Sequence, residues 1–195
     1  MKTTVTFFPV TPMKNKVIVL LAAFAAFVVP SLAADKAQIE SHYNSYAVAA
    51  KAVLDMTLTK KVDPAAVEQL VDTMIPHAIW MAREYAKVRP EGTKFIALYI
   101  DNLDNIRKLS FKEIESEWHD MGIFSKPGHD VGFDVKAEEN EHFTDPAHAM
   151  IQPFMVLKAA QAYAADHKDA DLKSMKEEME ESLEQAGKEE LVLLK

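Results

Sequence analysis

The sequence contains no cysteine. Disulfides, thiol catalysis, iron–sulfur clusters and covalently attached c-type haem are therefore excluded, and stability must come from packing. Glycine is scarce, with five in 195 residues, and these five form no phosphate-binding motif. Basic residues are outnumbered, 22 Lys and Arg against 30 Asp and Glu, for a formal net charge of −8 at pH 7. Nucleic acid and anionic membrane surfaces both reward dense Lys/Arg patches, so neither is an expected partner. The chain also lacks a Gly-x-Ser-x-Gly elbow, an HExxH helix, a His-x3-His pair and a calcium-loop pattern, which leaves nucleophilic and metalloprotease chemistry without support.

The N-terminal residues read as a targeting segment. "MKNK" is a basic start, "VIVLLAAFAAFVV" (Val17 to Val29) an apolar core, and "PSLAA" a helix breaker followed by small residues suited to cleavage. The apolar run falls short of the roughly 18 to 20 residues that span a bilayer. Residues 1–33 are thus expected to be an export signal cleaved after Ala33, leaving no stable membrane anchor. The signal carries Lys2, Lys14 and Lys16 and no acid, so its removal makes the remainder still more negative. Residues 34–195 suffice for one domain with a substantial core. The style of the signal places the protein in the periplasm of a bacterium or outside the cell.

Past the signal the chain reads as long, glycine-poor helices. A first helix over Asp35 to Thr59 carries Ile39, Tyr43, Tyr46, Ala50, Val53 and Thr57 at alternating four- and three-residue spacing, a single buried seam. Asp63 can cap a second helix with Pro64 at its first position, where a missing N–H costs nothing. Val67, Leu70, Met74, Ala78, Met81, Tyr85 and Val88 continue its seam. A third segment, Thr93 to Met121, contains "LSFKEI", in which Ser110 and Glu113 have capping-box spacing, so a helix can restart there. A fourth segment begins at "TDPAH", capped by Thr144 or Asp145, and restarts or continues at Asp169 toward an expected stop at Gly187. The predicted fold is all-α: an antiparallel up-and-down bundle of four long segments, resolving into five or six helices where the third and fourth divide.

One long irregular loop, Gly122 to Phe143, joins the third and fourth segments, where bundle connections usually take about 2 to 8 residues. His119, His129, His142 and His148 lie in it or at its edges, with Asp130 and Asp134 among them. Imidazole and carboxylate suit zinc, copper or nickel, so these four histidines form a candidate metal set with Asp130 and Asp134 as additional ligands. His148 would stand near a helix start, where the dipole lowers its pKa and favours the neutral, ligand-competent ring. The competing reading is a solvated acidic loop whose histidines cap or titrate freely. Within the loop, "VGFDV" alternates apolar and polar residues and is expected to plug the bundle's end.

Other candidates are weaker. His77 and Met81 stand four apart on one helix face and could ligate copper or haem, but a bundle histidine is usually a hydrogen-bonded structural residue. Met175 and Met179 fall in the charged run around "KEEMEESLEQ", which reads as a largely solvated face, where the number of acids makes no single pair informative. A di-iron bundle wants Glu-x-x-His on two core helices; Glu139-x-x-His142 occurs once, in the loop. The sequence therefore points to a binding module for a transition metal or small ligand rather than to an enzyme. The alternative is a structural or protein–protein interaction module of the cell envelope, docking a partner through a bundle face or the apolar end "LVLLK".

Overall fold

The computed structural model describes residues 34–195; the expected signal, residues 1–33, lies outside them. Among the described residues there are six α-helices and no strands: α1 (Lys36–Leu58), α2 (Pro64–Val88), α3 (Thr93–Ile106), α4 (Phe111–Ile114), α5 (Thr144–Asp166) and α6 (Asp169–Leu193). The pairs α1/α2 and α5/α6 run antiparallel, giving the up-and-down bundle expected from the seams.

Local chemistry explains most of the boundaries. The Asp63 carboxylate accepts from the backbone N–H of Ala65 (3.0 Å), with Pro64 at the first helical position. At Ser110 the full capping box forms: the hydroxyl accepts from the Glu113 N–H at 3.3 Å and the Glu113 carboxylate accepts from the Ser110 N–H at 2.8 Å. That reciprocal pair separates α3 from α4 and divides the third segment. Ser110→Ala is expected to cost about 1 kcal/mol, measurable as a reduced midpoint in urea unfolding.

The helix α5 lies at the centre. Met150, Ile151, Gln152, Pro153 and Phe154 are consecutive and all buried, so no side of this helix faces water. A helix buried all round is one surrounded by others, and α2, α3, α4 and α6 all pack on it. The "VGFDV" segment does close one end of the bundle. Val131 and Val135 are buried, and the Phe133 ring packs 5.0 Å from Phe143 and 6.0 Å from Phe95.

Three local expectations are corrected. Thr144 and Asp145 do not cap α5 by their side chains, because a 3-10 turn over Glu138–Phe143 runs directly into the helix; the Thr144 hydroxyl donates back to the Glu141 carbonyl at 2.7 Å. Gly187 does not stop α6, which continues to Leu193 with Val192 and Leu193 packed on the core and Leu191 turned outward. Nor is α6 a mostly solvated helix: Leu172, Met175, Met179, Ser182, Ala186 and Glu189 form a buried stripe at three- and four-residue intervals. Most of the residues flanking that stripe in sequence are charged, which hides it in the composition.

Candidate metal centre

The helix that begins at Phe111 widens after one turn. Glu115–His119 form a π-helical turn, closed by the Asp120 N–H donating to the Glu115 carbonyl five residues back at 2.7 Å. Such turns add one residue to a helix and so re-aim the side chains beyond them. Met121 follows in the left-handed region (φ 59°), and Gly122 lets the chain double back, since a Cβ there would collide with the Ser116 carbonyl oxygen. A helix end leaves carbonyls without partners. Here the Tyr99 hydroxyl donates to the Trp118 carbonyl at 2.7 Å, and His148 Nε2 faces the His119 carbonyl at 3.3 Å.

That last contact determines which nitrogen of His148 is bare. A carbonyl can only accept, so Nε2 carries the proton and Nδ1 holds a lone pair. Nδ1 is buried and has no hydrogen-bond partner. The His119 ring is oriented in the same way by its neighbours. Its Nδ1 stands 3.2 Å from the Asp120 carboxylate and must be the donor, while the buried Gln152 amide nitrogen donates to Nε2 across 3.4 Å. The two rings stack with centroids 4.3 Å apart and planes 9° from parallel.

The unpartnered Nδ1 of His148 and the Nε2 of His119, whose lone pair also receives the Gln152 amide, both face Glu181 on α6. His119 Nε2 is 3.8 Å and His148 Nδ1 3.9 Å from the same oxygen, Oε1, and the three ligand atoms lie within 4.8 Å of one another. Ligands of a tetrahedral ion held at about 2.0 to 2.1 Å stand about 3.4 Å apart, so the three side chains must draw together to close around one ion, by roughly half an ångström for each imidazole–carboxylate pair. A His-His-Glu group of this kind, with His148 buried and the other two partly exposed, could hold a metal ion.

The electrostatics favour a cation. Burial first, then the adjacent His119 ring, pushes His148 down to about 4, so it is a neutral ligand at physiological pH. The sequence led us to expect that shift from the helix start; the larger cause is desolvation. One turn before Glu181, Glu178 has a buried oxygen with no partner and is pushed up to about 7, mainly by burial and further by Glu181 and Glu115 against the pull of His119. A cleft of about 490 Å3, lined in part by Asp120, Glu138, Glu141 and His148, opens beside the site. Its carboxylates give a cation an acidic way in.

No family model, curated protein or solved structure matches this chain. The functional reading therefore rests on the geometry of its own side chains.

Of the four histidines singled out from the sequence, the structure brings His119 and His148 together and places the other two elsewhere. His129 lines a separate cleft of about 600 Å3 formed within residues 121–136, with Asp130 and Asp134 also at its wall. Those two aspartates are occupied locally, Asp130 accepting from the Gly132 N–H (2.8 Å) and Asp134 from the Lys136 N–H (3.0 Å). Such side-chain turns are the usual work of Asp in a loop. The His142 ring packs against Phe143, centroids 4.0 Å apart, and its carbonyl accepts from the Tyr85 hydroxyl. Glu181 was not legible as a ligand because it sits in an acid-rich run. The usable signal was the three-four stripe through Met175, Met179 and Ser182, which marks Glu178 and Glu181 as residues flanking a buried face.

Proposed function

We propose that this protein is an exported binding module for a divalent transition-metal ion, acting in the periplasm or outside a bacterial cell by holding the ion rather than by catalysis. His119, His148 and Glu181 are the ligands, with zinc the first choice because two imidazoles, one carboxylate and a free fourth position are a common zinc set; copper and nickel accept the same donors. The observation that carries this reading is the convergence of two ring nitrogens with lone pairs on one carboxylate oxygen, His148 Nδ1 unpartnered and His119 Nε2 held only by a long contact to the Gln152 amide that an ion would replace. Asp120 acts as the outer partner that orients His119, in the manner of a carboxylate–histidine–metal relay.

Titration calorimetry on chelator-stripped protein without an affinity tag tests the proposal. One zinc ion per chain is expected, with Asp120→Asn weakening binding by about 10- to 100-fold. Equal heats for wild-type protein and a His148→Ala, Glu181→Ala double variant would remove the site.

A further inference from the structure

A second pair of imidazoles converges on the opposite helix pair. His42 on α1 and His77 on α2 point their Nδ1 atoms at one another across 2.9 Å. The indole of Trp80, one turn after His77, lies flat on the His42 ring with centroids 3.9 Å apart and planes 3° from parallel. The His77 ring meets His42 edge-on, centroids 5.0 Å apart and planes at 68°. Met81, which shares a helix face with His77 by spacing, turns instead into the core and is fully buried. The partner of His77 is thus a histidine 35 residues away in sequence, invisible to any local pattern.

Two neutral rings meeting at Nδ1 hold a single proton between them, one donating and the other accepting. If that proton moves to the distal nitrogen of the same ring, the two lone pairs face one another, and a turn of each ring by roughly 45° aims both at one ion beside the N···N line with no proton leaving the protein. Cis ligands about 2.0 Å from an ion stand about 2.8 Å apart at a right angle, the arrangement of tetragonal Cu(II). The observed 2.9 Å matches that spacing. We propose that His42 and His77 form a second metal site, independent of the first, that takes Cu(II) in two adjacent in-plane positions and leaves the others to water. Both rings are partly buried and the stack on Trp80 holds the His42 plane, so little side-chain freedom is lost on binding. Burial, and for His42 also the neighbouring His77, holds both rings below the ordinary histidine value, which keeps them uncharged. Glu84, salt-bridged to Lys87, is the carboxylate that acts on His42. Among first-row divalent ions Cu(II) binds nitrogen donors most tightly.

The chain has two tryptophans, and each adjoins one site: Trp118 precedes His119, and Trp80 covers His42. In a Trp118→Phe, His148→Ala background, Trp80 is the sole indole and the first site is disabled. Cu(II) added to that protein is expected to quench most of the emission, with a plateau at one equivalent. His42→Ala or His77→Ala in the same background should abolish the plateau. Electron paramagnetic resonance of Cu(II) on protein carrying only His148→Ala gives a second readout, with nitrogen hyperfine structure that disappears when His42 and His77 are both replaced. Quenching or hyperfine structure that survives the double replacement, or no quenching at one equivalent, overturns the proposal. Zinc binding unchanged by His148→Ala, with the Trp80 response to Cu(II) intact, would overturn the first site and leave this one standing.

Discussion

Glu189→Gln is expected to stabilise the protein at neutral pH and above, by an amount that grows with pH. Glu189 is fully buried on α6, and neither of its carboxylate oxygens has a hydrogen-bond partner among the described residues. Desolvation, and then the negative charge of Asp145, raises its pKa well above the ordinary value. A carboxyl whose folded pKa is raised holds its proton in the native state while the unfolded chain has released it. Its favourable contribution is complete below the unfolded pKa and is lost as pH rises toward the folded one. Over that window the loss amounts to about 1.4 kcal/mol per pH unit. Urea unfolding between pH 5 and 8 should therefore show the variant gaining steadily on the wild type as pH rises. Asp145, pushed up to about 6, and Glu178, pushed up to about 7, tilt the wild type in the same direction, whereas His148, held down to about 4, opposes them as pH rises from there to its ordinary value. All three are present in both proteins, so the difference between the curves reports Glu189 together with its coupling to Asp145. Parallel curves for the two proteins would mean that this carboxyl is solvated in the folded state.

Zinc is expected to raise the melting temperature of the metal-free protein, and His148→Ala to remove the effect. An ion that binds only the native state stabilises it by about 2.7 kcal/mol at a hundredfold excess over its dissociation constant. For a chain of this length that corresponds to roughly 5 to 10 °C. The ligands come from the π-turn, from α5 and from α6, segments brought together only by folding, so the unfolded chain offers no comparable set. The variant also relieves a burden, because His148 carries a buried ring nitrogen without a partner. Its apo form should melt no lower than expected for loss of one hydrogen bond to the His119 carbonyl. A shift equal in both proteins would place the zinc elsewhere.

How far the site could be read from sequence follows from the reach of each signal. Asp63 with Pro64 and Ser110 with Glu113 act within one helical turn, so the starts of α2 and α4 are written locally. The three-four seams gave the bundle because burial of one face recurs along a whole helix. His119 and His148 were legible as flanks of an overlong loop, yet the loop itself was misleading: His129, Asp130 and Asp134 belong to its own turns and cleft wall. Glu181 and Glu189 escaped notice for one reason, which is that in a run crowded with charged residues composition cannot say which two face the core or its edge. His42 escaped for another, since its partner lies on the next helix and only the register between α1 and α2 sets them face to face.

The widened turn at Glu115–His119 works as an angular offset. In a regular α-helix each residue advances about 100° around the axis, so removing one residue here would restore ordinary geometry and swing His119 a quarter-turn or more away from His148 and Glu181. The backbone would gain regular hydrogen bonding and the ion would lose a ligand. A single inserted residue thus sets aim against regularity: the side of the helix from which the histidine emerges is stored in the length of the chain, and Asp120 and Gln152 then fix its ring.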